Sequence, residues 1–555
     1  MDNIGIAEKL ELLSKLLDIH GADPFKAKAF AAASFTIDKL PYPLFNTPID
    51  KWRSIRGIGA SVTNALSQLQ ETGTIDLLEE LLKNTPPGVI EMLQIKGIGP
   101  KKIHTIWKEM GIESMGELLY ACQENRLLHY KGFGEKTQEA VAQSIQFILQ
   151  HQGHFLFAEI EAIFPLIDNY LAQLFGKENI AVTGSFRRQL PTIEELAYVV
   201  LAEKENSKTK FETAQPPLLL EEEEGSLLYQ LKNGLRLRLY FTNDLPTTLF
   251  NTSCSEDFKI AFDNIALKKG VKTAVHDAPD GILFSEKGIP FVHPAKREKG
   301  TQLFDSTSST QTVLHENQIR GLIHCHSTWS DGSNELEEMV QECMKRNWEY
   351  MVISDHSASA FYANGLSAER VAAQHQQIDL LNKRYAPFRI FKSIESDILS
   401  DGSLDYEETV LSSFDLVIAS IHSNLRMLKE KATERLIRAI ENPFTTILGH
   451  PTGRLLLSRA GYPIDHEKII DACATNKVAI EINAHPRRLD LDWTWVDHAL
   501  EKGVLLSINP DAHQLEGFND IRYGILVAQK TKLSAGQNLS SFSCKEFENW
   551  LIKRK

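Results

Sequence analysis

Long hydrophobic runs are absent from this 555-residue chain. No apolar stretch approaches the roughly 20 residues that a membrane-spanning helix needs, so we expect no membrane association. The opening segment, MDNIGIAEKLELL, has no basic region followed by an apolar one. A secretory signal peptide is therefore not expected either.

Cysteine is also scarce. The six cysteines form no CxxC pair, and they are too sparse for a disulfide framework. They are Cys122, Cys254, Cys325, Cys343, Cys473 and Cys544. We therefore expect a reducing, cytoplasmic setting.

The chain also lacks an excess of positive charge. The chain has 60 basic and 73 acidic residues, a net charge of −13. Taken alone, that balance argues against nonspecific binding of nucleic acid. The hydrophobic share of 43% and the charged share of 24% are ordinary for a folded protein. The length allows about three to five domains.

The first 150 residues are predicted to be helical. Apolar residues recur at helical spacing in 6–18 and 64–82. Three Gly-x-Gly turns punctuate this region, each opening a helical stretch beside basic residues. Glycine permits a positive φ, and the free N–H groups of the following helix suit a phosphate. The region has 16 basic and 18 acidic residues, so its net charge is only −2.

These turns resemble helix-hairpin-helix motifs, which grip DNA or RNA phosphates through the backbone of the turn. The resemblance predicts local DNA binding without base readout. Plain turns between packed helices are the alternative. The candidate DNA-binding residues are Gly57, Gly59, Gly97, Gly99, Lys101, Gly132 and Gly134.

Residues 180–200 read IAVTGSFRRQLPTIEELAYVV and predict a strand, a Gly-Ser turn, a short basic helix and a second strand over 197–202. The segment GSFRR resembles the nucleotidyltransferase signature of family X DNA polymerases. In that family two aspartates follow the signature and a third comes from a later strand. Aligned on GSFRR, these positions carry Glu195, Ala197 and Arg238.

An arginine beside a magnesium site repels the metal, so we expect weak or absent polymerase activity. Ser185 and Arg188 remain candidate phosphate-binding residues. The alternative is that Glu194, Glu195 and neighbouring acids rebuild a site. The run Glu221–Glu224 is expected on a solvated loop or helix face.

From Arg320 onward, short strands alternate with helices, which predicts a (β/α) barrel. The candidate strands are 321–327, 350–356, 389–396, 415–423, 445–451, 477–484 and 503–513. Polar residues cluster at the carboxyl ends of these strands, where the active sites of such barrels lie. His324 and His326 are two apart, so both imidazoles share one face of a strand and Cys325 points away.

Nine residues at these strand ends are candidate metal ligands: His324, His326, Asp331, His356, Glu395, His422, His450, Asp511 and His513. Imidazole and carboxylate ligands suit Zn²⁺, Mn²⁺ or Fe²⁺ and disfavour Ca²⁺. Nine ligands are too many for one ion, so we expect two or three divalent ions, Mn²⁺ or Zn²⁺, with Glu395 as a bridge. We expect Asp355 to orient a histidine rather than bind a metal.

The pattern HxH…D, DH, E, H, H and DxH resembles the PHP (polymerase and histidinol phosphatase) domain over about residues 318–555. With the preceding regions, the chain resembles the bacterial PolX-type family of polymerase/3′–5′ exonucleases. The catalytic residues implied are His324, His326, Glu395 and Asp511. Arg454 and Arg487, with Arg488, are candidate phosphate-binding residues, and His485 is left outside the ligand set.

The expected fold is multidomain: all-α hairpins, an α+β nucleotidyltransferase-like middle and a distorted (β/α)7 PHP barrel. The predicted domains are a helical DNA-binding domain over 1–85, a fingers-like domain over 86–150, a degenerate palm-like domain over 151–255, a thumb-like domain over 256–300, a Ser/Thr-rich linker over 301–317 and the PHP domain over 318–555.

Four functional hypotheses remain open. The first is a metal-dependent 3′–5′ DNA exonuclease of repair that acts as a monomer on gapped, nicked or 3′ ends. By resemblance, abasic-site cleavage and removal of a 3′-phosphate are further reactions. The others are a gap-filling polymerase with proofreading, a DNA-binding scaffold with structural metals, and a phosphatase of the histidinol phosphate type. The Gly-x-Gly turns argue against the last, since a small-molecule enzyme has no use for them.

If the turns bind DNA through phosphates, affinity should weaken steadily as salt rises, because binding releases condensed counterions. Fluorescence anisotropy of labelled DNA across a salt series measures this. Salt-insensitive binding, or none, would contradict the hairpin hypothesis.

Overall fold

The computed structural model describes residues 1–123, 126–151, 153–212, 217–265, 276–301, 314–457 and 460–554. It divides into two compact units, Met1–Gln152 and Gly153–Lys555. Among the described residues, no helix combines the length and the apolar character that crossing a membrane requires.

The first unit is all helical, as expected. Its helices are Asn3–Ile19, Pro24–Asp38, Ile49–Trp52, Ala60–Thr72, Asp76–Lys83, Pro87–Glu91, Pro100–His104, Met115–Gln123 and Glu135–His151, with a π-helical turn over Thr105–Glu109. The side chains of Asp2 and Asp23 cap the first two helices. The predicted helical stretch 64–82 is broken at Gly73, whose φ of +77° ends one helix before the next begins.

The second unit begins with a small α+β region. Its strands are β1 (Phe155–Leu156), β2 (Ile180–Thr183), β3 (Thr192–Ile193), β4 (Glu195–Leu201), β5 (Leu218–Glu222), β6 (Ser226–Gln230) and β7 (Arg236–Thr242). Strands β1 and β3 pair, and the others form a sheet in the order β2-β4-β7-β6-β5. The helices of this region are Phe157–Phe175, Gly184–Arg187, Lys204–Glu212, Leu245–Thr252, Glu256–Asp263 and Gly281–Glu286.

The run Glu221–Glu224 is exposed to solvent, as expected, but only its last two residues lie in a loop. Its first two glutamates end β5, and three of the four carboxylates pair with basic side chains. Glu221 and Glu223 approach Arg238, and Glu222 approaches Lys204 and Lys208. The run is therefore solvated as expected, although half of it belongs to a strand and its carboxylates pair with basic side chains of β7 and of helix Lys204–Glu212.

Seven parallel strands form the predicted barrel. They are β8 (Gly321–Cys325), β9 (Tyr350–Ile353), β10 (Arg389–Asp397), β11 (Leu416–Ser420), β12 (Thr445–Leu448), β13 (Ala479–Asn483) and β14 (Leu506–Asn509). They are ordered in space as in the chain. A bridge from Cys325 to Ala512 joins the first strand to the segment just after the last, with the N–H of His326 2.8 Å from the carbonyl oxygen of Ala512. The distorted (β/α)7 fold is confirmed.

Helices cover the outside of this barrel. They are Leu336–Lys345, Ala368–Arg384, Glu408–Leu411, Lys429–Ile440, His466–Asn476, Trp493–Glu501 and Ile521–Gln529, whereas the last helix, Cys544–Arg554, packs against the inner core. Alternate strand residues pack to opposite sides, as strand geometry requires. One set joins the helices in a large outer core, and the other set lies inside the barrel. There Phe547 of the last helix stacks on Tyr350 at a ring distance of 4.9 Å and meets Phe391 edge to face at 5.0 Å.

The α+β region and the barrel share a buried junction. The ammonium of Lys530, which follows helix Ile521–Gln529, donates to the carbonyl oxygens of Arg188 and Ala295 at 2.7 and 3.1 Å. Lys530 also lies 3.5 Å from Glu298, which accepts from Arg188 at 3.0 Å. The GSFRR segment is therefore fixed to the barrel.

Several domain limits remain predictions. The linker expected over 301–317 falls mostly on 302–313, and the thumb-like domain over 256–300 includes 266–275. Both of these segments lie outside the described residues. The subdivision at 85/86 falls within the first compact unit.

Replacing Phe547 with alanine should destabilise the barrel by about 3–5 kcal/mol, because the ring is fully buried against two other aromatic rings. Urea unfolding of the full chain measures the change. Ile552→Ala on the same helix is the control, since Ile552 is 70% exposed and should change stability by less than about 0.5 kcal/mol. Equal effects of the two changes would contradict the packing described for this helix.

Candidate metal centre

The carboxyl ends of β8–β14 form the barrel mouth, where the predicted ligands meet. Among the described residues, every group of side chains that could hold a metal lies here. The three groups are His324, His326, Glu395 and Asp511; His326, Asp331, His356 and His513; and His356, Glu395 and His422. Eight of the nine predicted ligands belong to these groups.

The ninth, His450, approaches the same carboxylate. Its Nε2 lies 3.0 Å from Oε1 of Glu395, and Nε2 of His422 lies 3.2 Å from that oxygen. On the other oxygen, Nδ1 of His356 lies 3.0 Å away. Glu395 is thus a fully buried carboxylate surrounded by imidazoles on both sides.

A local distortion brings the first two histidines together. His324 has a φ of +62°, in the left-handed region, and the pairing of β8 with β9 shifts between Ile323 and Cys325. His326 follows the strand end. Regular alternation along the strand predicted that His324 and His326 share one face. In the structure a bulge, and not regular alternation, brings them together. Cys325 points away, as expected, with its thiol donating to the Val352 carbonyl at 3.6 Å.

Asp331 contacts the histidines of the outer group, which consists of His326, Asp331, His356 and His513. Its Oδ2 lies 3.4 Å from Nε2 of His513 and 3.6 Å from Nε2 of His356. Although burial alone would raise its pKa, the hydrogen bond from His513 and the nearby His326 and His356 lower the pKa of Asp331 to about 2. The loop that carries Asp331 is closed by Gly332, where a Cβ would lie 2.2 Å from the carbonyl oxygen of His326.

Buried carboxylates control the charge of the inner group. Burial would lower the pKa of His324, but Glu481, Glu395 and Asp511 outweigh it and hold that pKa well above the usual value. Burial would raise the pKa of Glu395, but neighbouring histidines hold it well below its ordinary range. The carboxylate is therefore ionised and attracts a cation.

The donor set fits divalent metal ions. Nε2 of His324 and Oε2 of Glu395 are buried without a hydrogen-bond partner among the described residues. Such atoms are costly unless something else contacts them. Nitrogen and carboxylate oxygen donors without sulfur suit Zn²⁺, Mn²⁺ or Fe²⁺ better than Ca²⁺.

Two carboxylates outside the predicted set contact the Nδ1 atoms of two predicted ligand histidines. Oε2 of Glu481 lies 2.6 Å from Nδ1 of His324, and Oδ1 of Asp397 lies 2.5 Å from Nδ1 of His422. A signal existed for the first, because Glu481 and Asn483 are polar residues two apart in an otherwise apolar strand. That spacing places both side chains inside the barrel.

Asp355 is fully buried and lies outside the metal groups, but it does not orient a histidine as expected. It accepts from the backbone and side chain of Ser327 at 2.8 and 2.7 Å, from Ser330 and from Gln374. Its role is to hold the loop that leads to Asp331. The difference arises because the serines of this loop, rather than an imidazole, face the carboxylate.

The predicted phosphate-binding arginines of the barrel differ in surroundings. Arg454 donates to the carbonyl oxygens of Arg488 and Leu489 and to Asp492 at 2.6 Å, so its guanidinium is already engaged. Arg487 is half exposed and lies 3.8 Å from Glu159. Arg488 lies nearest the ligands.

The Nε of Arg488 is 3.7 Å from Oδ2 of Asp511. His485 lies outside the metal groups, and its Nδ1 accepts from the N–H of Arg487 at 3.2 Å. This loop therefore carries the positive charge closest to the barrel mouth.

The three aligned polymerase positions also meet, on neighbouring strands β4 and β7. Ala197 pairs in register with Arg238, whose Nε donates to both oxygens of Glu195 at 3.0 and 2.9 Å. Arg236 pairs with Glu194. A guanidinium thus occupies the space between the positions where the family places its carboxylates.

The two candidate phosphate-binding residues of the GSFRR segment both lie in the α+β region. Arg188 donates to Glu298, and Ser185 lies half-buried in the short helix Gly184–Arg187. Their phosphate-binding role remains a prediction.

The three Gly-x-Gly turns share a first glycine in the left-handed region. Their first glycines, Gly57, Gly97 and Gly132, have φ values of +89°, +92° and +95°. The second glycine of each turn stands directly before or at the cap of a helix, and the residue between them is buried. Lys101 is exposed on the helix after the second turn. Free helix N–H groups and open space at the second glycines leave room for a phosphate.

Comparisons with known proteins agree with this architecture. A family described as a helix-hairpin-helix domain matches residues 1–75, and a SAM-like helix-hairpin-helix tandem matches residues 89–146. A probable phosphatase of Caldicellulosiruptor bescii is 32% identical over 170 residues, 29% of this chain and 63% of that protein. A probable phosphatase of Thermoanaerobacter sp. is 27% identical over 206 residues, 34% of this chain and 74% of that protein.

One relative matches almost end to end. The protein named DNA polymerase/3′-5′ exonuclease PolX of Bacillus subtilis is 32% identical over 569 aligned positions, which cover 98% of each chain. With its hairpin turns, its α+β middle and its seven-stranded barrel, the chain belongs to the PolX family.

Proposed function

We propose that this chain is a metal-dependent 3′–5′ DNA exonuclease, with weak or absent polymerase activity. The observation that carries the proposal is the convergence of nine imidazole and carboxylate side chains at one barrel mouth. The name of the Bacillus subtilis relative and the probable phosphatases support phosphoester hydrolysis.

A neutral imidazole has one ring lone pair, so each histidine serves one ion. Under that limit the nine residues divide into three sets. These are His324, His326 and Asp511 with Glu395; His422 and His450 with Glu395; and Asp331, His356 and His513. Glu395 offers one carboxylate to two neighbouring sets and would bridge two ions. We expect two or three ions, Mn²⁺ or Zn²⁺.

When bound, such ions activate water and neutralise charge on phosphate oxygens. The chain supplies the rest. Burial of Glu395 and of the inner histidines excludes bulk water and strengthens the charge interactions among them. Arg487 and Arg488, on the loop after β13, would hold the phosphate through their guanidinium groups, and the 3.7 Å approach of Arg488 to Asp511 supports this for Arg488.

The DNA is held elsewhere in the chain. The Gly-x-Gly turns of residues 1–150 would bind phosphates of DNA with gaps, nicks or 3′ ends, and the degenerate palm-like region would add contacts. The free state of the six cysteines supports a reducing, cytoplasmic setting. We expect the protein to act as a monomer.

Removal of a 3′-phosphate is a second candidate reaction. The probable phosphatases match only about a third of the chain, and that match supports phosphomonoester chemistry at the barrel. End-labelled DNA with a 3′-phosphate, incubated beside DNA with a 3′-hydroxyl, distinguishes the two reactions.

His324→Ala and Glu395→Ala should each lower nuclease activity by more than about 100-fold, since each removes a ligand from the inner group. DNA affinity should stay measurable, because the hairpin turns lie in the other compact unit. End-labelled digestion with Mn²⁺, Mg²⁺ and Zn²⁺ in parallel, on gapped and single-stranded DNA, measures the loss.

His498→Ala is the matched control, because His498 is a barrel histidine outside the metal groups. Its activity should stay close to wild type. Survival of nuclease activity in both ligand variants would show that the barrel mouth is not the active site. Binding without cleavage by the wild type would favour a scaffold with structural metals.

Primer extension should show no robust templated synthesis, even with Mn²⁺, because Arg238 occupies the degenerate polymerase site. The assay is best run in the His324→Ala background, where 3′ digestion cannot hide extension. Efficient gap filling there would restore the polymerase hypothesis.

A further inference from the structure

Strand β13 contributes no metal ligand, although strands or loops on both sides of it do. Its inward-facing polar residues instead contact ligands that other strands supply. Glu481 and Asn483 are both fully buried. Together they reach His324 in β8, His450 after β12 and Asp511 after β14.

Each oxygen of Glu481 receives two hydrogen bonds. Oε2 accepts from Nδ1 of His324 at 2.6 Å and from Nδ2 of Asn509 at 2.8 Å. Oε1 accepts from the backbone N–H of His450 at 3.1 Å and from Nδ2 of Asn483 at 3.1 Å. Four donors therefore face one carboxylate that can only accept.

Asn483 extends the network to a further ligand. Its Nδ2 also lies 3.1 Å from Oδ2 of Asp511. The amide group therefore connects Glu481 with a carboxylate of the inner metal group. A displacement of Glu481 would therefore disturb the contacts of His324, His450 and Asp511, which come from three different strands.

We infer that Glu481 is a positioning residue that keeps the proton of His324 on Nδ1 and so reserves its Nε2 lone pair for a metal ion. The inference rests on the proposed metal centre. The geometry follows from the acceptor at Nδ1, because a neutral imidazole that donates from one nitrogen accepts at the other. Nε2 of His324 lies 3.2 Å from Oε1 of Glu395 and 3.4 Å from Oδ1 of Asp511, the two carboxylates that would share the ion with it.

Asp397 repeats the arrangement for a different set of ligands. Its Oδ1 holds Nδ1 of His422 at 2.5 Å, and its Oδ2 accepts from Ser359 at 2.9 Å. Nε2 of His422 then faces Glu395 at 3.2 Å. The two anchors act on different ligand sets, so their effects can be separated.

Glu481→Gln tests the inference because the amide group keeps the size of the side chain. If its NH₂ replaced Oε1, it would oppose a backbone N–H that cannot turn away. If it replaced Oε2, it would donate to Nδ1 of His324 and drive the proton to Nε2, where it blocks metal binding. Either orientation disturbs the network, and the second changes the tautomer directly.

Titration of the metal-free full chain with Co²⁺, followed by its visible absorption and by metal content after dialysis, is the measurement. We expect Glu481→Gln to weaken the His324 set about 10- to 100-fold and to retain about one Co²⁺ fewer per chain. Asp397→Asn should weaken a different absorption component, that of the set containing His422.

Asp490→Asn is the matched control, since Asp490 is fully buried in the same barrel but accepts from Thr452. It should bind Co²⁺ as the wild type does. Thermal unfolding with chelator present identifies a variant that fails to fold, in which case Asp397→Asn carries the test. Wild-type Co²⁺ binding by the folded anchor variants would overturn the inference, whereas no Co²⁺ binding by the wild type would refute the proposed function itself.

Discussion

The barrel mouth depends on one buried negative charge, the carboxylate of Glu395. It has no exposed surface, and imidazoles of His324, His356, His422 and His450 surround it at 3.0–3.2 Å. A carboxylate that is removed from water is costly unless cations or donors compensate it. Residues in or just after β8, β9, β11 and β12 supply that compensation, and this is also the arrangement that divalent ions require.

Many imidazole and carboxylate side chains lie close together at the barrel mouth, and rigid loops and neighbouring side chains are needed to hold them there. The bulge before His326, the tight approach at Gly332 and the serine network of Asp355 fix the first loop. Behind the ligands, Glu481 and Asp397 fix two histidines. At the opposite end, Phe547 fills the barrel with aromatic contacts. The reactive face is therefore polar and the supporting face is apolar within the same seven strands.

Much of this could be predicted from the sequence. The alternation of strands and helices, with polar residues at the strand ends, predicted the barrel and brought together all nine expected ligands, because parallel strands present their carboxyl ends at one edge. The left-handed backbone of His324 could not be predicted, since it depends on pairing with β9 and on closure against Ala512. The positioning role of Glu481 and Asp397 was not predicted. For Glu481 the role becomes visible only when its four hydrogen-bond donors, which come from separate strands, are known. Arg454 illustrates the opposite case, where a residue that suits phosphate is engaged in the loop beside it.

Because Arg238 pairs with Glu195, the α+β region and the barrel respond differently when divalent ions are removed. A guanidinium that is part of the chain is a permanent counterion, which no chelator can extract and no competing metal can exchange. The α+β region therefore keeps its charge balance when divalent ions are depleted, while the barrel loses whatever ions it holds. Metal starvation would then leave a protein that still engages DNA and no longer cuts it.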